Sequence, residues 1–124
     1  MSIQLTLEFP PSANRYWRLT TRNGKPRIIK SVEAEGYATR CYWVAKSQIR
    51  QPLTGPVCLD MTIYFPNRRG DLDNRTKQLF DALEGVVFAN DRQIEHYSVT
   101  RAIDKKNPRV EIQVTAIEEP PEAA

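Results

Sequence analysis

Hydrophobic and polar residues alternate in four stretches of the chain, as they do in a strand with one buried face. The first is "IQLTLEF" (3–9) and the second is "VCLDMTIYF" (57–65). Two more, "QIEHYSVTRAI" (93–103) and "RVEIQVTAI" (109–117), follow near the C-terminus. Prolines stop the first two stretches, because proline has no N–H to donate to a strand ladder. The pattern therefore predicts four strands.

In two other stretches hydrophobic residues recur every three or four positions, which is the spacing of a helical stripe. Ser31 is the predicted N-cap of the first helix, and its stripe comprises Ala34, Ala38, Cys41, Ala45 and Ile49. Asp73 or Asn74 is the predicted N-cap of the second helix, and Gly85 suits the position after its end. The stripe of this second helix comprises Leu72, Thr76, Leu79, Phe80 and Leu83.

The element order is β-α-β-α-β-β, which predicts an α+β domain with a mixed four-stranded sheet and two helices packed on it. We expect helical crossovers between the early strands and a hairpin between the last two, joined by the turn-like "DKKNP". The pair Asn23-Gly24 predicts a tight turn and a short hairpin arm. The predicted domain spans residues 1–117, and residues 118–124 are predicted to form an acidic, flexible tail.

The composition is that of an ordinary soluble protein of one domain, with 124 residues of which 27% are charged. Apolar runs stay well short of the roughly 20 residues that cross a bilayer, and the N-terminus does not resemble a secretion signal. We therefore expect a cytoplasmic protein without a membrane partner. Cys41 and Cys58 lie in apolar-patterned stretches and are predicted to be buried, reduced thiols. With a single histidine, His96, taken as structural, a zinc site is not expected.

Positive charge is concentrated in one part of the chain. From Pro10 to Val32 there are six basic residues and no acidic one. Once Glu118, Glu119 and Glu122 of the tail are set aside, the 15 acidic residues fall to 12 against 18 basic ones. Such a face attracts polyanions, although a solvated loop would have the same composition.

Three aspartates raise the question of a metal site. Asp71 and Asp73 are one residue apart, so in an extended segment both side chains point to one side. A predicted helix and a return segment then lead to Asp91, and this path could gather all three. Each aspartate alone is better explained as a cap or turn residue. If they do gather, each pair at 4 Å repels by about 4 kcal/mol, which requires a cation. Oxygen ligands favour Mg²⁺ or Mn²⁺.

"DLDNRTKQLFDAL" followed by "GVVFANDRQI" resembles the signature of the RusA family of Holliday junction resolvases, small endonucleases of lambdoid prophages and other phages. "PPSANRYWR" is similar to the family's opening, and the resemblance covers roughly residues 3–117. It implies metal ligands at Asp71, Asp73 and Asp91, an essential lysine at Lys77, and a homodimer. Asn90 stands where some members have another acid, so it is not counted as a ligand.

The residue types suit hydrolysis of a phosphodiester. The three aspartates would hold one or two Mg²⁺ ions, and Lys77 would place positive charge beside the scissile phosphate. Lys77 is also explained by an i,i+4 ion pair with Asp73. The residues expected to contact flanking phosphates are Arg15, Arg18, Lys30, Arg68 and Arg69. Tyr16 and Trp17 would stack on unpaired bases, or else pack under the loop.

The sequence thus predicts a Mg²⁺-dependent endodeoxyribonuclease that resolves four-way junctions in recombination and repair, with no small-molecule cofactor. The alternative is a non-catalytic protein that binds junction DNA through its basic face. Clustered aspartates argue against that alternative, since they repel phosphate. A third interpretation, a Mg²⁺-dependent nucleotide hydrolase, lacks a phosphate loop of the G-x-x-x-x-G-K type.

Overall fold

The computed structural model describes residues 2–12 and 17–118, which form six strands and two α-helices. The elements in chain order are β1 (Ser2–Glu8), β2 (Trp17–Arg22), β3 (Lys25–Lys30), α1 (Val32–Lys46), β4 (Val57–Phe65), α2 (Leu72–Leu83), β5 (Ile94–Ile103) and β6 (Arg109–Ala116). A single 3₁₀ turn, Asp91–Gln93, precedes β5. Without the β2–β3 arm the order is β-α-β-α-β-β, which confirms the predicted fold class. The predicted hairpin arm is also confirmed, with Asn23 and Gly24 at its turn in the left-handed region.

The main sheet has the order β1-β6-β4-β5. Strand β6 is antiparallel to both of its neighbours, and β4 and β5 are parallel, so the sheet is mixed as expected. The expected hairpin between the last two strands is wrong, because β4 lies between β5 and β6. The turn at 104–108 passes over the end of β4, where the Asp104 N–H donates to the Phe65 carbonyl at 2.9 Å. Pro66 follows the last residue of β4 and cannot continue the strand ladder, because it has no N–H.

One face of the sheet carries the core. The alternate residues of β1, β4 and β6 that point to this face are buried, as in Ile3, Leu59 and Ile112, whereas those of the edge strand β5 are half-buried or exposed. Helix α1 packs on β1, and α2 packs against α1 and β5. We call the opposite side of the sheet the open face; its residues are exposed or half-buried and mostly polar, including Gln4, Asp60, Thr62, Ser98, Thr100, Glu111 and Gln113.

The helix boundaries follow local chemistry. Ser31 caps α1 as predicted, since its hydroxyl accepts from the Ala34 N–H at 3.1 Å. The buried stripe of α1 includes Tyr37, which the pattern missed; its hydroxyl donates to the Glu8 carbonyl at 2.8 Å. The predicted caps of α2 are wrong by two or three residues, because the N-cap position is Asp71. Gly85 follows the end of α2 with a φ of 86°, as expected.

The two cysteines differ in their surroundings. Both are free thiols. Cys41 is on the buried face of α1, as predicted, and burial raises the pKa of its thiol to about 11. The prediction of burial is wrong for Cys58, which is only half-buried. The alternation of β4 explains this difference, because Val57 and Leu59 face the core and Cys58 faces the open side.

Candidate active site

The chain reaches Asp71 through a tight loop after β4. Residues 66–70 connect Phe65 to Asp71, and Gly70 adopts a φ of 94°, a conformation that side-chain-bearing residues rarely take. Asp71 occupies the N-cap position, yet its side chain makes no capping bond. One of its oxygens accepts instead from the Asn74 amide at 3.1 Å. The exposed carboxylate of Asp71 thus remains at the N-terminal end of α2 without closing that end.

Arg101 on β5 holds this loop in position. Its guanidinium donates to the Arg68 carbonyl at 2.9 Å and to the Gly70 carbonyl at 2.6 Å. The same group lies 4.2 Å from the centre of the Phe65 ring, a cation–π contact. Arg101 was not among the site residues predicted from the sequence. The signal was present, because Val99 and Arg101 both point to the helix side of β5, where a charge is unusual.

Arg75 ties α2 to the residues that follow β1. Its guanidinium donates to the Pro10 carbonyl and lies 4.6 Å from the centre of the Phe9 ring. Burial lowers the pKa of Arg75 from its ordinary value, although an arginine remains charged at neutral pH. Arg75 was also missed by the sequence analysis. The two arginines therefore fix the N-terminal turn of α2 against the ends of β1, β4 and β5.

Asp73 and Lys77 line one cleft between α2 and β5. Its volume is about 550 Å³, and its other lining residues are Leu72, Thr76, Phe80, Tyr97 and Val99. Both Asp73 and Lys77 are exposed. In one wall of the cleft the rings of Phe80 and Tyr97 meet edge to face, with their centres 5.1 Å apart. The cleft therefore presents an acidic and a basic side chain over an apolar floor.

Asp91 lies at the other end of α2. It opens the 3₁₀ turn in which Asn90 accepts from the Arg92 N–H at 2.8 Å and Gln93 accepts from the Asn90 N–H at 2.9 Å. The Gln93 amide also donates to the carbonyls of Leu53 and Gly55, just before β4 begins. Since β4 and β5 are parallel, the start of β5 lies beside the start of β4. Asp71, by contrast, follows the end of β4.

Within one chain, the structure therefore does not bring Asp91 to Asp71 and Asp73. Helix α2 has 12 residues, so about 18 Å of helix separates its two ends. In the part of the chain that is described, only one group of three potential metal ligands lies within 4.8 Å of one another, and it comprises Cys58, Asp60 and His96. The single-chain path from Asp71 to Asp91 suggested by the sequence is not found. The assignment of the three aspartates as metal ligands stays a prediction.

The predicted DNA contacts are distributed as follows. Arg15 and Tyr16 lie outside the described residues, and Trp17 begins β2. Arg18, Arg68 and Arg69 are exposed. Lys30 at the end of β3 forms an ion pair with Asp81 of α2, with 2.5 Å between the two charged atoms. This pair joins the β2–β3 arm to α2, a role that the sequence did not indicate.

The donor set at the start of α2 fits a hard cation. Asp71 and Asp73 supply carboxylate oxygens, are exposed, and stand on either side of the first helical residue. The nearby Asn74 amide oxygen is also of the oxygen class that Mg²⁺ prefers. The Asn74 amide nitrogen already holds Asp71 in place. These residues could bind Mg²⁺ through two protein carboxylates, with water or substrate oxygens completing the coordination shell.

Among residues 2–12 and 17–118, no helix is long and apolar enough to span a membrane. The sequence profile described as "Endodeoxyribonuclease RusA" matches residues 8–115. The crossover junction endodeoxyribonuclease RusA of Escherichia coli strain K12 is 33% identical over 114 residues, which cover 90% of this chain and 92% of the relative. The corresponding protein of Enterobacteria phage 82 is 34% identical with the same coverage. This chain belongs to the RusA endodeoxyribonuclease family.

Proposed function

We propose that this protein is a Mg²⁺-dependent endonuclease that resolves four-way DNA junctions in the cytoplasm, during recombination and repair. One observation carries the proposal: this chain is a member of the RusA family, and it has two exposed carboxylates and a lysine at the N-terminal end of α2. Asp71 and Asp73 suit a hard cation, and Lys77 lies one helical turn beyond Asp73 in the same cleft. A protein that only bound DNA would gain nothing from carboxylates that repel phosphate.

Each residue has a distinct task in the proposed reaction. Asp71, Asp73 and Asp91 hold the cation, which supplies an activated water and neutralises charge when it is bound. Lys77 places a fixed positive charge beside the scissile phosphate, where charge develops in the transition state. Arg101 and Arg75 are positioning residues, because they fix the loop and the helix turn that carry the carboxylates.

The basic side chains position the DNA. Arg18, Arg68 and Arg69 contact phosphates that flank the cut, since all three are exposed and Arg68 and Arg69 precede Asp71 directly. Arg15 has the same task, and Tyr16 and Trp17 stack on unpaired bases at the junction centre. Lys30 reaches a phosphate by exchanging its partner Asp81 for the DNA.

A homodimer accounts for both the substrate and the position of Asp91. A four-way junction has two-fold symmetry, and paired cuts need two sites related by that symmetry. Because Asp91 is at the far end of α2 in its own chain, we assign it to the partner's site. Each site then combines Asp71 and Asp73 of one protomer with Asp91 of the other.

The first experiment is cleavage of a synthetic four-way junction with Mg²⁺ and in EDTA. Paired cuts that require Mg²⁺ are expected. Binding of the junction without cleavage under any divalent cation would instead establish the non-catalytic binding protein. Linear duplex of the same sequence is the control for structural selectivity.

The shared site is tested by a mixed dimer. Asp73→Asn and Asp91→Asn chains carry different affinity tags, and the heterodimer is purified through both. If the site is shared between protomers, one of the two sites in this heterodimer is intact, so it nicks one strand of the junction. If each site lies within one chain, the heterodimer is as inactive as either homodimer. A heterodimer of Asp71→Asn with Asp73→Asn is the control, because it has no intact site under either arrangement.

A further inference from the structure

A second group of potential metal ligands lies away from the aspartates. Cys58 and Asp60 on β4 and His96 on β5 each offer a ligand atom, and the three atoms lie within 4.8 Å of one another. Cys58 and His96 are paired across the parallel strands, and Asp60 is paired with Ser98 one step further along. Paired residues of neighbouring strands point to the same face. The group therefore stands on the open face, with the sheet between it and α2.

The donors in this group differ in kind from those near α2. A thiol sulphur, an imidazole nitrogen and a carboxylate oxygen form the mixed set that Zn²⁺ binds, whereas Mg²⁺ selects oxygen alone. Three protein ligands leave one of the four tetrahedral positions for water or another group. All three side chains are at least partly accessible to solvent, so an ion can enter without opening the core.

The strands hold the three ligands in place. Cys58 and Asp60 are alternate residues of β4, which is hydrogen-bonded to β5 on one side and to β6 on the other. The ladders on both sides therefore fix the positions of the two residues relative to each other. The Ser98 hydroxyl donates to one oxygen of Asp60 at 2.7 Å. Such an outer hydrogen bond orients a ligating carboxylate and leaves its second oxygen for the ion.

We propose that Cys58, Asp60 and His96 form a binding site for a thiophilic divalent cation of the Zn²⁺ class. The ion joins β5, an edge strand, to β4. On its other side β5 carries Tyr97, Val99 and Arg101, which line the cleft or hold the loop before Asp71. Occupancy of the new site therefore stabilises the strand behind the cleft without contributing a group to it.

Co²⁺ is a direct probe, because a cobalt–thiolate bond gives a charge-transfer band in the near ultraviolet. The full chain, reduced and freed of metal, is titrated with Co²⁺. We expect the band to saturate at one ion per chain and to disappear when Zn²⁺ is added. Cys58→Ser abolishes the band, while Asp60→Asn and His96→Asn each weaken Co²⁺ binding by at least about tenfold, the lower end of what even an outer-shell change costs.

The matched control for Asp60→Asn is Glu111→Gln. Glu111 is an exposed acid on the same face, paired across β4 and β6 with Thr62, and it is outside the group. The Glu111→Gln substitution should leave Co²⁺ binding unchanged. Ser98→Ala should weaken binding by about tenfold through the lost hydrogen bond to Asp60.

Alkylation gives a second, independent readout. Zn²⁺ should slow the reaction of Cys58 with iodoacetamide, whereas the buried Cys41 reacts slowly in either case. The proposal is overturned if no thiolate band forms, if Cys58→Ser retains the band, or if Zn²⁺ does not protect Cys58. Unchanged melting curves of the metal-free variants show that the fold is intact. Mg²⁺-dependent junction cleavage by Cys58→Ser should persist, so failure here and failure of the proposed nuclease function are separate results.

Discussion

Aspartates lie near both ends of α2, but different kinds of interaction hold them in place. At the N-terminal end, Arg101 of β5 donates to the carbonyls of the loop before Asp71, and Arg75 of α2 itself contacts the Phe9 ring that follows β1. At the C-terminal end, Asp91 lies in a turn held by the neutral side chains of Asn90 and Gln93. Charged side chains with partners distant in sequence therefore hold the first end, and amide side chains within or beside the turn hold the second. Substitutions should therefore act differently at the two ends.

Asp73→Asn should have the largest effect on activity. Asp73 lies in the first turn of α2, after the N-cap Asp71, and is exposed. Asparagine has nearly the same shape, so a purely structural Asp73 would leave cleavage intact. As a ligand it is required, and we expect cleavage in Mg²⁺ to fall to background. Less repulsion within the cluster and from phosphates leaves the metal-free protein at least as stable, and junction binding in EDTA equal or tighter. Glu84→Gln, at the other end of α2, is the control that keeps its activity. Mg²⁺-dependent cleavage near the wild-type rate would show that Asp73 is not a metal ligand.

Lys77→Ala should reduce the cleavage rate by about 100-fold, the scale of losing one electrostatic donor to a transition state. Junction affinity should change little, because the other basic residues remain. Single-turnover cleavage and a gel-shift assay separate the two quantities. Lys77→Arg keeps the charge and should recover part of the rate. A normal rate with weakened binding would make Lys77 a phosphate-positioning residue.

Arg101→Ala should show that the N-terminal end depends on long-range support. Loss of two charge-assisted hydrogen bonds to the loop carbonyls should lower the free energy of unfolding, measured by urea denaturation, by about 2 kcal/mol. The loop before Asp71 then loosens, so the Mg²⁺ concentration that gives half-maximal cleavage should rise while the rate at saturating Mg²⁺ changes less. Arg92→Ala, an exposed arginine at the other end, should leave both quantities unchanged. An unaltered Mg²⁺ dependence in Arg101→Ala would show that Arg101 does not position the loop before Asp71 for metal binding.

Gln93→Ala is expected to have the smallest effect. It removes an N-terminal capping interaction and two bonds to the carbonyls before β4, so stability should fall by about 1 kcal/mol. Cleavage should weaken because Asp91 is less well placed, and the Mg²⁺ concentration that gives half-maximal cleavage should rise. Lower stability with an unchanged Mg²⁺ dependence would mean that Gln93 acts through the fold alone.

Several features of the site were readable from the chain. The alternation of β4 indicated which residues face the core, and the spacing of Asp73 and Lys77 placed them one helical turn apart on the same side of α2. The alternation of β5 marked Arg101 as a charge on the helix side, but the partners of Arg75 and Arg101 could not be found in this way, because they are the carbonyls and rings of other segments. The identity of those partners depends on which strand ends meet, and periodicity does not contain that information.

The sequence by itself determined the elements, the buried faces, the cap at Ser31 and the membership of the family, because these depend on neighbouring residues and on a local signature. Only the tertiary structure decided that β4 separates β5 from β6, since strand order depends on pairing between distant segments. The parallel direction of β4 and β5, which is also a tertiary property, places Asp91 a helix length from Asp71 and brings His96 to Cys58 and Asp60. A histidine interpreted as structural and a thiol predicted to be buried thus lie within ligand distance of each other because two strands are parallel.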